Sequence, residues 1–436
     1  MPGRRNVDAD AVAEKVRTFY DRHPYPPPVD DLDGYRRRWD DRQRRRADHH
    51  LFWPARPYRD DPSILIAGCG TSQAAKHALR WPKARVTGID VSATGVSFTE
   101  ALKRKHDIAN LEVRQLSLER VAELGLTFDQ IVCTGVLHHL PDPPAGLTAL
   151  REVLAPGGAM HLMVYAPYGR TGIYMVQDFC RRIGIRPVEE EMPELVAALG
   201  ALPTDHPLAM LLRRARDFQN AAALADALLH PQDRAYSVPQ LFDLIRSCGL
   251  AFVRWFRQAP YSPGCGVMER LPQKPRLMQL PAEEQYAAAE LFRGTMLRHS
   301  VIVRRDDDAS APRPISFAGE AWVGHVPVRL PDTIVVKERL PLGAAAVLIN
   351  PSHSHTDLFL PIDATEERLV SGIDGARSIG EIARSARSDS LDGAECPIER
   401  VGVFFERLSD YDQVVFDATA APAPLADRAP RSTVGR

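Results

Sequence analysis

The chain has 436 residues, 44% hydrophobic and 25% charged, with a formal net charge of −1. This is the composition of an ordinary globular protein long enough for more than one domain, and its near-neutrality gives no whole-molecule reason to bind nucleic acid or anionic lipid. No apolar run approaches membrane-spanning length, no hydrophobic signal core opens the chain, and six scattered cysteines without CxxC pairs read as reduced thiols, so a cytoplasmic location is expected.

Residues 1–58 read as a helical N-terminal extension. Val12, Val16, Phe19 and Tyr20 fall on one face of a helix over 8–23, which "HPYPPP" stops because proline removes backbone donors. The following "YRRRWDDRQRRRADHHLFWP" mixes arginines with aspartates and aromatics; it reads as a solvated helix face with stacking arginines rather than a basic patch for a charged partner.

From Ser63 the pattern alternates. Short apolar strands are expected at 63–67, 85–89, 111–116, 128–133 and 159–165, with helices near 72–80, 93–105, 117–124 and 144–154. Such alternation predicts a parallel sheet covered on both faces, and "APGG" at 155–158 reads as a helix stop before the fifth strand. Residues 166–235 read as a mainly helical insertion. "SVPQLFDLIRSCGLAFVRWFRQ" then resumes helix, glycine stop and strand, and "LRHSVIVRR" at 297–305 supplies one more strand. The α/β domain is therefore expected over 59–306, followed by a linker in "RDDDASAPRP". A small α+β accessory domain is expected over 315–417, and residues 418–436 read as a low-complexity disordered tail.

The stretch "SILIAGCGTSQ", Ser63 to Gln73, is a strand running into a glycine turn. Such a turn lets a ligand approach the backbone at a helix N-terminus. Twenty residues after Gly70 stands Asp90, placed to accept both hydroxyls of a ribose; the plainer alternative is a turn aspartate capping a helix from Val91. A dinucleotide site wants a third glycine where this chain has Gln73, so a pyrophosphate is disfavoured. Ser117 and Leu118 in "LSLERV" stand where an adenine would be bounded, and "FDQIVCTGVLHHLPDP" carries two adjacent histidines past the fourth strand.

With "ILIAGCG", "VTGIDVS", "FDQIVCTGVLHHLPDP" and "LREVLAPGGAMHLMVY" in order over about 60–165, the chain strongly resembles the class I S-adenosylmethionine-dependent methyltransferases, and the likeness extends to about 305. The resemblance implies a Rossmann-like, seven-stranded, mostly parallel sheet and S-adenosyl-L-methionine as methyl donor. It would place Ala67, Gly68, Cys69 and Gly70 at the methionine end, Asp90 on the ribose, and Val91 and Leu118 about the adenine with Ser117 at its edge. Thr134 and Gly135 would lie beneath the sulfonium. The family often has an acid at the position of Ile66, so another group must hold the methionine ammonium here; Ser72 stands where a similarly small residue is usual.

Methyl transfer needs alignment, exclusion of water and, for some acceptors, a base. His138 and His139 are the catalytic candidates, and Tyr165, Tyr168, Arg170 and Tyr174 the substrate-binding ones, with Arg170 suited to clamp a carboxylate or phosphate. The alternative for the tyrosines and arginine is a lid helix packed on the sheet. The resemblance also implies that Tyr20 and Tyr25, on such an N-terminal extension, fold over the cofactor. "PDPPAG" lacks the aromatic of an amide-binding loop, and no paired glutamates follow the fourth strand. His353-Ser354-His355 has no third ligand at sensible spacing and reads as a solvated turn, so no metal is assigned. "DATEERLVSGIDGARSIGEIA" looks like the small peptide-binding domains of peptide-modifying enzymes, implying a peptide or protein partner; a capping or dimerisation module is the plainer alternative. The acceptor stays unidentified. A nicotinamide-dependent oxidoreductase and a catalytically silent cofactor-binding or partner-binding protein are the competing readings.

Overall fold

The computed structural model describes residues 2–214, 221–308, 315–388 and 397–419. Three helices open the chain, α1 (Pro2–Arg22), α2 (Asp33–Trp39) and α3 (Arg42–Phe52). Then β1 (Ser63–Ala67), α4 (Gln73–Arg80), β2 (Arg85–Asp90), α5 (Ala93–Lys105), β3 (Leu111–Gln115), β4 (Phe128–Thr134), α6 (Pro143–Glu152) and β5 (Leu154–Tyr165) alternate. The insertion is α7 (Thr171–Ile183), α8 (Met192–Gly200), α9 (Pro207–Arg214) and α10 (Ala221–Leu229). It returns through α11 (Val238–Ser247), β6 (Leu250–Trp255), α12 (Lys274–Leu277), α13 (Ala282–Arg293) and β7 (Arg298–Arg305).

The seven strands form one sheet in the order β3-β2-β1-β4-β5-β7-β6. The first five run parallel, and β7 is antiparallel to both its neighbours. The alternation of side chains across β1 explains why the sheet is covered on both faces. Leu65 and Ala67 face a core completed by Leu147 and Leu150 of α6 and by Leu241 and Ile245 of α11. Ile64 and Ile66 face the opposite core, with Ala74, Ala75 and Ala78 of α4. Between β1 and β4 the strand order reverses, and such a switch point opens a crevice at the strands' C-terminal ends.

Two local expectations differ. "APGG" lies inside β5, not before it: Phe128 pairs with Leu154 but Gln130 pairs with Ala159, so residues 155–158 bulge out of the ladder. Gly157 sits there at φ +70°, and its carbonyl accepts from the Trp53 indole at 3.1 Å. The 117–124 helix is a 3₁₀ turn over Leu118–Leu124, closed by Gly125 at φ +62°.

The C-terminal unit contains β8 (Val326–Arg329), β9 (Ile334–Val336), β10 (Ala346–Ile349), β11 (Phe359–Ile362), α14 (Ala364–Ser371), α15 (Ile379–Ser388), α16 (Ile398–Asp410) and β12 (Val414–Asp417). β9, β10 and β11 form one antiparallel sheet, and β8 pairs with β12. Its core takes in Ala259 and Cys265 from the segment after β6. Asp412, fully buried, accepts from the amides of Gln258 (3.0 Å) and Ala259 (2.9 Å).

The arginine-rich N-terminal stretch is a seam more than a solvated face. Asp48 to Trp53 are buried, and Leu51, Phe52 and Trp53 pack with Val328, Leu330 and Val415 of the C-terminal unit. Arg44 pairs with Asp332 at 3.0 Å and Arg46 with Asp417 at 3.2 Å. The stacking expectation holds for Arg44, over Trp39 at 5.8 Å, and Arg42, over Tyr58 at 5.6 Å; Arg80 of α4 takes the other approach to Trp39 at 4.1 Å. The linker read at "RDDDASAPRP" falls partly, and the tail at 418–436 almost wholly, outside the described residues. Among the described residues no helix is long and apolar enough to cross a membrane.

Candidate functional site

A cavity of 490 Å³ fills the crevice. Its floor is the turn after β1, where Gly68 and Gly70 adopt φ +74° and +52°. A Cβ on Gly68 would lie 2.2 Å from Val136 Cγ2, so the turn passes directly under the loop that follows β4. Asp90 ends β2 beside this turn. Its Oδ2 accepts from the Gly70 amide at 2.8 Å and its Oδ1 from the Ser92 amide at 2.9 Å. Burial pushes the carboxyl up, and these amides oppose the shift. Each oxygen retains lone-pair capacity for a further donor. The helix cap is Ser92, whose hydroxyl accepts from Gly95 N at 3.0 Å, so Asp90 is not spent on capping α5.

Of the ten residues assigned to the cofactor, Gly68, Cys69, Gly70, Asp90, Val91, Ser117, Leu118, Thr134 and Gly135 line this cavity. Ala67 does not: it is fully buried in the sheet core. Ile66 is likewise a core side chain. Burial pushes the Cys69 thiol up, which keeps it protonated. Gln73 donates from its amide to the Thr134 hydroxyl at 2.8 Å, filling with a side chain the space a third glycine would leave for a pyrophosphate.

The N-terminal extension closes the crevice from above. Tyr20 and Tyr25 both line it. Asp21 at the end of α1 accepts from the Ser92 hydroxyl at 2.8 Å and the Thr94 amide at 3.3 Å, which fixes α1 to the start of α5. Tyr20 also donates to Asp226 of α10 at 3.0 Å, and Tyr165 donates to the same carboxylate at 3.4 Å. Asp226 was not singled out in the sequence, although a lone acid within the apolar "AAALADALL" is a signal in itself. It is 3% exposed, and burial pushes its carboxyl up.

The two adjacent histidines part company. His139 lines the cavity, and its Nδ1 lies 2.7 Å from the Gln232 carbonyl; donation there leaves Nε2 holding the lone pair. His138 is fully buried, packed on the Tyr165 ring at 3.9 Å, with both ring nitrogens unpartnered. Burial first, then the neighbouring His139 and Arg170, holds it well below the usual imidazole range. His139, Asp226 and His230 bring possible ligand atoms within 4.8 Å of one another. The Gln232 amide donates to His230 Nδ1 at 3.1 Å, so the other ring nitrogen carries the hydrogen and neutral His230 has no free lone pair for a cation.

A second cavity, of 900 Å³, lies behind Thr134, Met163, Tyr165 and Asp226, which line both. Tyr165 thus stands on the partition. Arg170 reaches the second cavity but is 6% exposed, paired with Asp233 at 3.1 Å and lying 3.5 Å over the Tyr165 ring. It braces the insertion. Tyr174 is half-buried and accepts from Arg170 Nε at 3.2 Å. Tyr168 is exposed and lines neither cavity. Thr71, Lys76, His77, Arg80 and Arg298 also line the first cavity, and no spacing in the sequence marked them.

Residues 65–160 match the family model described as a methyltransferase domain. The match runs from β1 to β5 and takes in the glycine turn and Asp90 that line the first cavity. An uncharacterized protein of Synechococcus sp., syc1184_c, is 34% identical over 267 residues, covering 58% of this chain and 62% of that one. The ubiquinone biosynthesis O-methyltransferase of Acinetobacter baylyi is 26% identical over 157 residues, 35% of this chain and 60% of that one. The chain thus spans about three-fifths of the length of these curated relatives. PKMT2 from Rickettsia typhi, solved in complex with AdoHcy, has a TM-score of 0.59 at 15% identity, over 88% of this chain and 74% of that one, which shows a common fold.

Proposed function

We propose that this protein is an S-adenosyl-L-methionine-dependent methyltransferase acting in the cytoplasm on an O, N or C nucleophile of an acceptor that is a small molecule rather than a peptide. The observation that carries the reading is Asp90: a buried carboxylate at the end of β2, beside the Gly68–Gly70 turn, with acceptor capacity left on both oxygens. The residues fit a nucleoside with a cationic tail. The lining has three carboxylates, Asp90, Glu119 and Asp226. With Asp90 on the ribose and Glu119 beside Leu118 at the adenine end, Asp226 is left for the cationic end, in place of the acid missing at Ile66.

Bound S-adenosylmethionine supplies an activated methyl group for in-line displacement, its carbon–sulfur bond breaking as the acceptor–carbon bond forms. The chain supplies the rest. Gly68 and Gly70 admit the ligand to the backbone, Tyr20 and Tyr25 exclude water from above, and Thr134, Tyr165 and Asp226 stand where the two cavities meet and donor faces acceptor. His139 takes the acceptor's proton on Nε2, its tautomer set by the Gln232 carbonyl. His138 serves as packing. Within this reading residues 59–306 carry the chemistry, and residues 315–417 are an accessory unit that wraps the second cavity.

The test is to incubate the protein with radiolabelled S-adenosylmethionine and size-fractionated cell extract. Label in the small-molecule fraction is expected; label confined to macromolecules moves the acceptor to a peptide or protein. Calorimetry should show S-adenosylhomocysteine binding and no binding of a nicotinamide dinucleotide.

A further inference from the structure

The 900 Å³ cavity is of the size of a small-ligand site, and its charge is one-sided. Arg80, Arg170, Arg257 and Arg298 line it, against the single carboxylate of Asp226. Asp226 already receives the hydroxyls of Tyr20 and Tyr165. Arg80 is paired with Asp48 at 3.3 Å and Arg170 with Asp233 at 3.1 Å. Arg257 and Arg298 have no carboxylate ion pair among the described residues. Asp412, Asp48 and Asp332 act on Arg257 only from beyond ion-pair distance, so among the described residues neither guanidinium has a carboxylate in direct contact.

We propose that this cavity is the acceptor site and that the acceptor is an organic anion, whose carboxylate or phosphate group is held by Arg257 and Arg298 beneath the Pro351–His355 loop of the C-terminal unit. The proposal rests on the methyltransferase reading for the word acceptor, but its charge argument is independent of it. The two arginines stand at the same end of the β6–β7 pair, where the Phe256 amide donates to the Ser300 carbonyl at 2.8 Å. Arg257 lies over the Phe256 ring at 4.7 Å, and Phe256 stacks on His161 at 4.1 Å with 7° between the rings. His161 is held neutral, near 3, by burial first and then by the positive charge of Arg257, Arg80 and Arg298. A planar guanidinium fork held on an aromatic face is suited to a bidentate anion.

The loop is fixed at both ends. The Asn350 side chain donates to the Asp412 carbonyl, and Asp357 pairs with Arg293 at 3.1 Å. Between these anchors His353 has both ring nitrogens buried without a partner, so the wall facing the arginines carries a spare N–H donor. The unit beyond residue 315 therefore completes the chamber, and the anion clamp assigned to Arg170 from the sequence passes to two other arginines.

The test uses benzoate, phenyl phosphate and the neutral isostere benzamide as probes, titrated by calorimetry into the full chain with S-adenosylhomocysteine bound, at low salt. At least one anion is expected to bind tenfold or more tighter than benzamide, the stronger of the two telling carboxylate from phosphate. Arg257→Gln and Arg298→Gln are each expected to reduce that preference below threefold, whereas Arg257→Lys retains part of it, and Arg257→Gln leaves S-adenosylhomocysteine affinity within twofold. Equal affinity for acid and amide, no binding of either anion, or a preference that survives the double glutamine variant overturns the proposal. Failure of S-adenosylhomocysteine to bind the unaltered protein, with the anion preference intact, overturns the methyltransferase reading instead.

Discussion

Tyr20 of α1 and Tyr165 at the end of β5 donate to the two oxygens of one buried carboxylate, Asp226, at 3.0 and 3.4 Å. Three segments far apart in the chain, the N-terminal extension, the sheet and the helical insertion, are thereby joined at the partition between two cavities. The carboxylate is oriented by the protein's own hydroxyls, as charge stabilisation of a cationic donor requires.

Removing the ribose carboxylate tests the cofactor assignment. Asp90→Ala deletes an acceptor of two backbone amides and, in this reading, of two hydroxyls. Hydrogen bonds to a charged group contribute about 1.5–3 kcal/mol each, so S-adenosylhomocysteine affinity is expected to fall by roughly a hundredfold or more. Calorimetry reads this directly, and unchanged affinity removes the ribose assignment.

The two histidines should separate in function. His139→Ala is expected to keep cofactor affinity and to lower kcat by roughly a hundredfold to ten-thousandfold, the range for a lost general base. His138→Leu replaces an imidazole with two buried, unpartnered nitrogens, so the melting temperature is expected to hold or rise and turnover to persist. A loss of turnover in His138→Leu equal to that in His139→Ala would reverse the assignment.

The pairing of Arg170 with Asp233 points to a bracing role for Arg170 in place of the clamp expected from the sequence. Arg170→Met strands Asp233, which is buried with it, and breaking such a pair costs about 3–5 kcal/mol. Denaturant unfolding is expected to show a loss of that order. A variant that unfolds normally but fails only to bind anions would return the clamp to Arg170.

Several histidines make the fold acid-sensitive. His77, whose Nδ1 lies 2.9 Å from the Gln73 carbonyl, is depressed by burial to about 3, and His161 likewise. A depressed value means that the unfolded chain takes up the proton first. Stability is fully present above about 6.5 and is lost as pH falls from there toward 3, by at most about 1.4 kcal/mol per pH unit per group. Thermal melts between pH 7 and 4 should show this fall, and His77→Gln should flatten it; an unchanged slope would mean His77 is not held neutral.

The sequence by itself determined the sheet and its glycine turn. Periodicity and turn chemistry act over a few residues, so β1 to β4 fall within one residue of their expected spans, and "GCG" followed by Asp90 at fixed distance defines one end of the cavity. Where β5 begins was decided elsewhere, because the 155–158 bulge is held by Trp53, just past the end of α3, a contact that no local pattern encodes. The same holds for the chemistry at the partition. His138 and His139 are equivalent on the page, and only the packing of Tyr165 on one and the Gln232 carbonyl at the other separates them. Asp226, Arg257 and Arg298 come from three segments whose meeting depends on how the insertion and the C-terminal unit close over the sheet. Long-range burial set their charge and partners, and burial is a property of the folded chain, not of residue order.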